Sequence, residues 1–160
     1  MNNVSCERVW AMPNKKTFTI PPIQTLLNTE LGLDYVDPFP YPFTKDAIEY
    51  LKQYDNESEN GLVFDPPYSQ RQLREVYDSA GLSLEVMNNS YWSKCKDEIA
   101  RIIKPGGKVI SFGWNSSGIG INRGFEITRI LLVCHGSQHN DTICTVEKKM
   151  QTTLDSSGEM

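Results

Sequence analysis

A carboxylate, two prolines and an aromatic ring stand side by side at Asp65, Pro66, Pro67 and Tyr68, directly after the apolar residues 62–64. An exocyclic amine is a poor nucleophile because its lone pair is delocalised into the ring that carries it. Hydrogen bonds accepted from its two protons, by the Asp65 carboxylate and the Pro66 carbonyl, would draw the nitrogen toward tetrahedral geometry and free that lone pair. The prolines would fix the carbonyl direction at little entropic cost, and Tyr68 would offer a face on which a base stacks. The motif therefore predicts a site that activates an exocyclic amine.

The same four residues are also compatible with a structural role. Proline and aspartate are common in loops, and Asp65 could cap a helix predicted over residues 69–79. Two observations favour chemistry. Open α/β sheets bind ligands at the carboxyl ends of their strands, and residues 103–112 supply a helix end, a glycine turn and another apolar strand at the spacing of the next unit. We expect Asp65 at the end of a central strand, with Tyr68 facing a cleft.

Short apolar runs and helical patterns alternate along the chain and must position this site. Strands are predicted where β-branched and aromatic residues cluster, at residues 33–36, 62–64, 108–112, 126–133 and 142–146. Helices are predicted over residues 44–54, with Thr44 as the N-cap, and over residues 91–103, followed by a turn at residues 104–107. This alternation indicates an α/β fold with a mostly parallel sheet. The last two strands are too close for a helical crossover, so they should form an antiparallel hairpin at a sheet edge.

Length and composition narrow the class of protein. A chain of 160 residues with 39% hydrophobic and 22% charged residues matches one globular domain. Residues 1–150 are predicted to form that domain and residues 151–160 a flexible tail. No apolar run is long enough to span a membrane, and the first residues lack the pattern of a signal peptide, so a cytoplasmic location without membrane contact is expected. The net charge of −4 requires any nucleic-acid contact to use locally concentrated positive charge.

Two further groups of residues have the chemistry to bind ligands. Four metal-ligand types lie close together in sequence: Cys134, His135, His139 and Cys144. Their spacing spans a hairpin turn and matches no common zinc pattern, so no metal is predicted. Arg71 and Arg74 follow Tyr68 closely and are predicted to contact nucleic-acid phosphates. The alternative for both arginines is a solvated helix face.

The chain resembles the adenine-specific DNA methyltransferases of phages and mobile elements that carry Asp-Pro-Pro-Tyr. The resemblance lies in RVWAMPNKKTFTIPPIQTLL (8–27), GLVFDPPYSQRQ (61–72) and residues 96–149, from KDEIARIIKPGGKVISFGWNSSGIG through HNDTICTVEKK. It implies a Rossmann-like methyltransferase sheet with fewer strands than usual. It also implies S-adenosylmethionine as the methyl donor and the N6 amino group of adenine in DNA as the acceptor. That adenine would be flipped out of a duplex or lie in a single strand.

The resemblance also implies roles for individual residues. Asp65, Pro66, Pro67 and Tyr68 would form the catalytic set, and residues 139–141 could rim the mouth of the site. The cofactor-binding residues would be Thr17, Phe18, Ile20, Asp37, Pro38 and Phe39. In such proteins an Asp-Pro-Phe stretch opens a loop rich in small residues, and a second strand then ends in an acidic residue that holds the cofactor ribose. Here residues 37–43 run directly into the predicted helix, so this loop and this strand are missing.

The shortened segment leaves several functions open. The first is methylation of adenine in DNA, with weak cofactor binding unless another chain, in a homodimer or from a partner protein, completes the pocket. Asp46, Glu49 or residues 113–120 could instead supply the lost contacts, with residues 38–43 acting as a stiff apolar bridge. The alternative is a cofactor-deficient relative that binds DNA or a catalytic partner without catalysis. A third function is methylation of another planar amide or amine, such as a protein glutamine, for which asparagine at position 65 would be more familiar.

Overall fold

The computed structural model describes residues 3–40, 43, 45–82 and 90–151. Within these residues the chain forms, in order, β1 (Ser5–Trp10), α1 (Pro21–Glu30), α2 (Ala47–Leu51), β2 (Glu59–Phe64), α3 (Gln70–Ser79), α4 (Tyr91–Ile102), β3 (Ile103–Gly113), β4 (Phe125–Cys134) and β5 (Thr142–Lys149). The predicted N-cap Thr44 and all but the first residue of the predicted tail lie outside the described residues. No helix in the described ranges is both long and apolar enough to cross a membrane.

The strands form one sheet in the order β1-β4-β5-β3-β2. β1 is parallel to β4 and β2 is parallel to β3, whereas β5 is antiparallel to both of its neighbours. Four strands therefore run in one direction, which confirms the predicted mostly parallel α/β sheet with a C-terminal antiparallel hairpin. The predicted position of that hairpin at a sheet edge is wrong. β1 was not predicted because its side chains are mostly exposed, and its pairing with β4 places the hairpin inside the sheet.

The predicted first strand at residues 33–36 is wrong. Only an isolated bridge joins Val36 to Leu62, with the Val36 N–H donating to the Gly61 carbonyl at 3.0 Å. Leu33 is 94% exposed, so this end of the apolar run buries nothing, and Pro38 has no N–H with which to extend the ladder. β2 is therefore an edge strand of the five-stranded sheet. Asp65 follows a strand as expected, but not a central one.

The helices lie on both faces of the sheet, and α3 and α4 match their predicted bounds to within one residue. α2 is shorter than residues 44–54 because Asp46 caps it, accepting a hydrogen bond from the Glu49 N–H at 2.9 Å. α4 ends as predicted, but the turn at residues 104–107 is a bulge within β3: β2 advances from residue 59 to 61 while β3 advances from 103 to 108. Gly106 adopts a φ of 84° there, which glycine alone tolerates readily. The spacing of apolar residues did not predict α1.

Alternate residues of β3 divide the core into two layers. Val109 packs with the side of the sheet that α2, α3 and α4 cover. Ile110 and Phe112 pack with α1 on the opposite side. Because β1, β2, β3 and β4 run in the same direction, their carboxyl ends lie at one edge of the sheet, and the segments that follow them share that edge. The fold thus gathers residues that are distant in sequence around the loop after β2.

Candidate active site

A cavity of about 440 Å³ opens at the carboxyl edge of the sheet. Asp65, Pro66, Pro67 and Tyr68 form one of its walls. The other walls come from the segment before α1, from the aromatic stretch before α2, and from the β4–β5 turn: Pro13, Asn14, Lys15, Thr17, Ile20, Phe39, Pro40, Phe43, His135, His139, Asn140 and Thr142. This volume lies in the range of small-molecule sites. Tyr68 therefore borders a cleft, as expected from the sequence.

Side chains near the start of α3 fix the loop that carries Asp65. The Tyr68 hydroxyl donates to Asp65 Oδ1 at 3.3 Å, and the Tyr68 N–H donates to Gln72 Oε1 at 3.0 Å. Ser69 is the N-cap of α3, because its hydroxyl accepts from the Gln72 N–H at 3.2 Å. Asp65 is therefore not the helix cap that the structural interpretation required. Asp65 lines the cavity instead.

The carboxyl group of Asp65, on the cavity wall, interacts electrostatically with that of Asp37, which does not line the cavity. Burial, together with the negative charge of Asp37, raises the pKa of Asp65 to about 7, against the opposing hydrogen bonds from Tyr68 and Thr17. Burial likewise raises the pKa of Asp37 to about 6, and the Phe39 N–H, which donates to Asp37 Oδ1 at 3.0 Å, opposes that rise. Among the described residues neither carboxyl group takes part in an ion pair. Above neutral pH this side of the cavity is thus negative and favours a cation.

The six residues that the resemblance assigns to the cofactor divide into two groups. Thr17, Ile20 and Phe39 lie on the cavity wall. Asp37 acts on the cavity through its effect on Asp65. Phe18 and Pro38 do not line it: the Phe18 ring packs on Phe112 with ring centroids 5.3 Å apart, and Pro38 is buried. The structure therefore brings three of the six to the same cavity as the Asp65–Tyr68 loop.

Aromatic rings pack together in the segment before α2, which the sequence predicted to replace the missing cofactor loop. Phe39 stacks on Phe43 with centroids 5.6 Å apart and an interplanar angle of 17°. Phe39 also packs against Phe64 at 6.0 Å, and Phe43 packs against Tyr77 at 5.1 Å. The sequence predicted a stiff apolar bridge over the end of a first strand at residues 33–36, whereas these rings pack over the end of β2. Residues 41 and 42 of the bridge lie outside the described part. Between Val36 and β2 the described residues form α2 and no strand.

None of the proposed substitutes for the lost cofactor contacts reaches the cavity. Asp46 is engaged elsewhere, since it caps α2 and accepts hydrogen bonds from the Tyr77 and Tyr91 hydroxyls. Glu49 is exposed on α2. The loop 113–120 is closed by buried Glu147, which accepts from the Ile119 N–H at 2.7 Å and the Gly120 N–H at 2.9 Å. Among the described residues Asp65 is the one acidic side chain on the cavity wall.

The β4–β5 turn is held by His135. Its Nδ1 lies 2.9 Å from the Ala11 carbonyl, which can only accept, so Nδ1–H donates there, and its Nε2 lies 3.0 Å from the Thr142 hydroxyl. Both ring nitrogens are therefore used within the fold. In the described ranges no three potential ligand residues gather as a metal site. Of the rim predicted at residues 139–141, His139 and Asn140 lie on the cavity wall, whereas Asp141 does not and accepts a hydrogen bond from the His135 N–H at 3.2 Å.

The two arginines predicted to contact nucleic acid lie on α3, away from the cavity wall. Arg71 Nε is 2.9 Å from Glu75 Oε1 across one turn of the helix, and both side chains are largely exposed. Arg74 is exposed on the same helix. Exposed ion pairs of this kind contribute little to stability, so Arg71 could exchange Glu75 for a phosphate at small cost. Their contact with nucleic acid stays a prediction.

Several residues of the site were not predicted. The ring of Trp114 lies edge-on to Tyr68 with centroids 5.2 Å apart, and Trp114 is 50% exposed. Gln72 and Val76 bring the first turns of α3 to the cavity wall. Trp114 directly follows β3, and the rule that ligands bind beyond the carboxyl ends of strands was the available signal for it. Gln72 and Val76 carry no such signal, because each looks like an ordinary helical residue.

No profile of a known protein family and no curated protein sequence matches this chain. Its structure is similar to that of a candidate DNA modification methylase from Thermus thermophilus in complex with S-adenosyl-L-methionine, with 15% identity, a TM-score of 0.46, and coverage of 68% of this chain and 52% of that one. A chain of the complex between the Haloferax volcanii Trm112 methyltransferase activator and a candidate methyltransferase is also similar, with 10% identity, a TM-score of 0.48, and coverage of 94% and 85%. The antibiotic-resistance methyltransferase Kmr has 11% identity, a TM-score of 0.42, and coverage of 94% and 89%. This chain spans about half the length of the Thermus protein. Such distant likenesses assign neither a substrate nor a cofactor to it.

Proposed function

We propose that this chain transfers a methyl group from S-adenosylmethionine to the N6 amino group of an adenine in DNA. The observation that carries the proposal is the convergence of the Asp65–Tyr68 loop with Thr17, Ile20 and Phe39 on one cavity. The loop was assigned to the acceptor amine and the other three residues to the donor, from separate stretches of the sequence. Methyl transfer requires donor and acceptor to be held against each other. One shared cavity supplies that requirement.

On the acceptor side, Asp65 and Pro66 orient the amine rather than deprotonate it. An ionised Asp65 carboxylate and the Pro66 carbonyl each accept one proton of the amino group, which leaves the nitrogen lone pair directed at the methyl donor. The ring of Tyr68 packs against the base. Once methylated, the nitrogen is cationic and loses its proton readily, so no strong general base is needed. The roles require an ionised Asp65, whose pKa of about 7 places half of it in that form near neutral pH.

On the donor side, the charge of the cofactor complements the wall of the cavity. S-adenosylmethionine carries a positive sulfonium, and the carboxyl groups of Asp37 and Asp65 have no ion-pair partner in the described structure. A cation beside them favours their ionised forms. Cofactor binding would therefore lower the pKa of Asp65 and convert it into the hydrogen-bond acceptor that the amine needs. Binding of the donor and readiness of the acceptor site are coupled in this way.

The proposal is tested by incubating the protein with S-adenosylmethionine and with single-stranded or duplex DNA. The DNA is then digested to nucleosides, and methylated nucleosides are identified by mass spectrometry. We expect N6-methyladenine with the wild type and with Asp55→Ala, which removes an exposed carboxylate outside the cavity, and none with Asp65→Ala. Methylation of cytosine, or equal activity of the wild type and Asp65→Ala, would contradict the proposal.

A second candidate function is binding of DNA or of a catalytic partner without catalysis. The observation that favours it is the engagement of Asp46 with the Tyr77 and Tyr91 hydroxyls, which leaves the described cavity wall without a second carboxylate for a ribose. Calorimetric titration with S-adenosylmethionine separates the two candidates. Binding by the isolated chain, or by a homodimer at high protein concentration, supports catalysis. Binding that appears only after a different chain is added indicates that a partner completes the pocket.

A further inference from the structure

Glu147 is a buried carboxyl group that the proposed methyl transfer does not use. It lies in β5, paired with Val109 of β3 and Ile127 of β4, and it is fully buried. The other buried positions of β5 carry uncharged side chains, and within the described residues Glu147 forms no ion pair. A buried charge destabilises a fold unless hydrogen bonds compensate for it. The hydrogen-bond partners of Glu147 therefore indicate what this carboxylate does.

Both oxygens of Glu147 hold the end of the loop 113–120, which follows β3. The Ile119 N–H donates to Oε1 at 2.7 Å, and the Gly120 N–H donates to Oε2 at 2.9 Å. Gly118 passes so close to the carboxylate that a Cβ added there would overlap it. The Ile119 side chain is buried in the core beside these bonds. The end of the loop is thus fixed on the Glu147 side chain.

The same loop places Trp114 against Tyr68. The loop starts at Gly113, where β3 still pairs with β5, and within it the Ser117 N–H donates to Asn115 Oδ1 at 3.0 Å. The Trp114 ring lies edge-on to Tyr68 with centroids 5.2 Å apart. Because Trp114 is half-exposed, burial alone does not fix its ring. Its contact with Tyr68 depends on the loop being held at both ends.

We propose that Glu147 is a positioning residue, which holds the loop 113–120 so that Trp114 keeps the Tyr68 ring oriented toward the acceptor base. The proposal rests on the proposed function, in which that ring packs against adenine. The Tyr68 hydroxyl reaches Asp65 Oδ1 at 3.3 Å, which is longer than an ordinary O–H···O bond. That bond alone holds the ring weakly, so the contact with Trp114 supplies a second restraint.

The first measurement follows the indole N–H signal of Trp114, assigned by its loss in Trp114→Phe, in NMR spectra of the full chain. Tyr68→Leu removes the ring beside Trp114, so it should shift this signal in the wild-type background. Glu147→Gln replaces one acceptor oxygen by an amide group that only donates, which releases one N–H of the loop. In the Glu147→Gln background Tyr68→Leu should therefore cause little further shift.

Val146→Ala is the matched control for a loss of stability. Val146 is the neighbour of Glu147 in β5, but its side chain packs in the core layer on the α1 side of the sheet. Removal of its buried methyl groups should lower the Tm without loosening the loop. The shift caused by Tyr68→Leu should keep its wild-type size in this background.

The second measurement is kinetic and separates positioning from stability. Stacking of a base on an aromatic ring is worth about fivefold or more in affinity. Glu147→Gln should therefore raise the KM for DNA by about that factor and leave the KM for S-adenosylmethionine unchanged. Val146→Ala should change neither KM, because a loss of stability lowers the amount of folded protein and not its affinity.

Gly118→Ala is a second variant, which decides the question where Glu147→Gln does not fold. Its Cβ would overlap the carboxylate, so the loop must move away while the charge stays. Gly124→Ala is its control, because Gly124 also has a positive φ, of 87°, but a Cβ there meets no atom within 4 Å. Of these two variants, Gly118→Ala alone should raise the KM for DNA and suppress the shift caused by Tyr68→Leu.

The outcomes distinguish this proposal from the proposed function. A wild-type Tyr68→Leu shift in the Glu147→Gln and Gly118→Ala backgrounds, or methylation by both with an unchanged KM for DNA, would overturn the positioning role alone. Failure of both variants to fold would mean that the fold itself requires these residues, and it would overturn the role as well. A protein that shows the expected shifts but methylates no DNA refutes the proposed function alone.

Discussion

The two sides of the large cavity differ in how much regular secondary structure supports them. The acceptor side follows a complete strand, β2, and continues into α3 with a serine cap and a hydrogen bond between Tyr68 and Asp65. The donor side follows a single bridge at Val36 and continues into stacked phenylalanines instead of a loop with free backbone N–H groups. Regular secondary structure is thus more complete on the side proposed to orient the amine than on the side proposed to hold the cofactor. Under the proposed function, the chain positions the acceptor better than it binds the donor.

The acceptor side should respond most strongly to mutation. Asp65→Ala removes the acceptor of one amine proton, which is needed mainly in the transition state, so methyl transfer should fall by at least about 100-fold. Asp55→Ala is the matched control, because that carboxylate is exposed outside the cavity. Initial rates with DNA and a labelled methyl donor measure both variants. A loss below tenfold would mean that Asp65 does not orient the amine.

The donor side is expected to bind S-adenosylmethionine weakly. Two or three hydrogen bonds to the cofactor are expected to be missing, and because such bonds contribute about 1.5–3 kcal/mol each to charged groups, the affinity should fall by about a thousandfold or more. Calorimetric titration of the isolated chain should therefore give a Kd for S-adenosylmethionine well above micromolar. Tight binding by the monomer would contradict this expectation. Residues other than Asp46, Glu49 and the loop 113–120 would then have to hold the cofactor.

The elements that the sequence predicted correctly are those whose residue types directly indicate burial or chemistry. β2, β3, β4 and β5 were located because apolar β-branched runs report burial directly. The strand β1 was missed because residues such as Glu7 and Arg8 are exposed and show no apolar pattern. A strand ending at Val36 was predicted wrongly because Leu33 is apolar but exposed. The Asp65–Tyr68 loop was identifiable from residue types. Trp114 was not grouped with it, because its contact with Tyr68 depends on β3 lying beside β2 in the sheet.

The raised pKa of Asp65 should appear in the pH dependence of catalysis. An ionised carboxylate is needed to accept the amine proton, so kcat/KM should rise with pH and level off above about 7. Below that value it should fall by about tenfold per pH unit. The midpoint in kcat should lie lower, because kcat reports the complex, in which the cofactor's positive charge lowers the pKa of Asp65. Rate profiles from about pH 5 to about pH 9, recorded with saturating DNA and with either saturating or limiting S-adenosylmethionine, test both expectations. Coincident midpoints would argue against a cation beside Asp65.

The smallest effect should be a gain in stability when Asp65 is neutralised. Its pKa is 3.8 in the ordinary state and about 7 in the fold, so the folded protein favours the protonated form. The resulting stabilisation is complete at acidic pH and is lost as pH rises through the folded value. Asp65→Asn keeps the shape without the charge, and at about pH 8 it should raise the free energy of unfolding by about 1–3 kcal/mol. That corresponds to a Tm increase of about 2–4 °C per kcal/mol for a chain of this size.

The gain in stability of Asp65→Asn should grow between about pH 4 and about pH 7 and then level off, and Asp55→Asn should show none of it. A variant less stable than the wild type under the same alkaline conditions would mean that ionised Asp65 is stabilised by a cation, and the negative wall proposed for the cofactor would lose its basis.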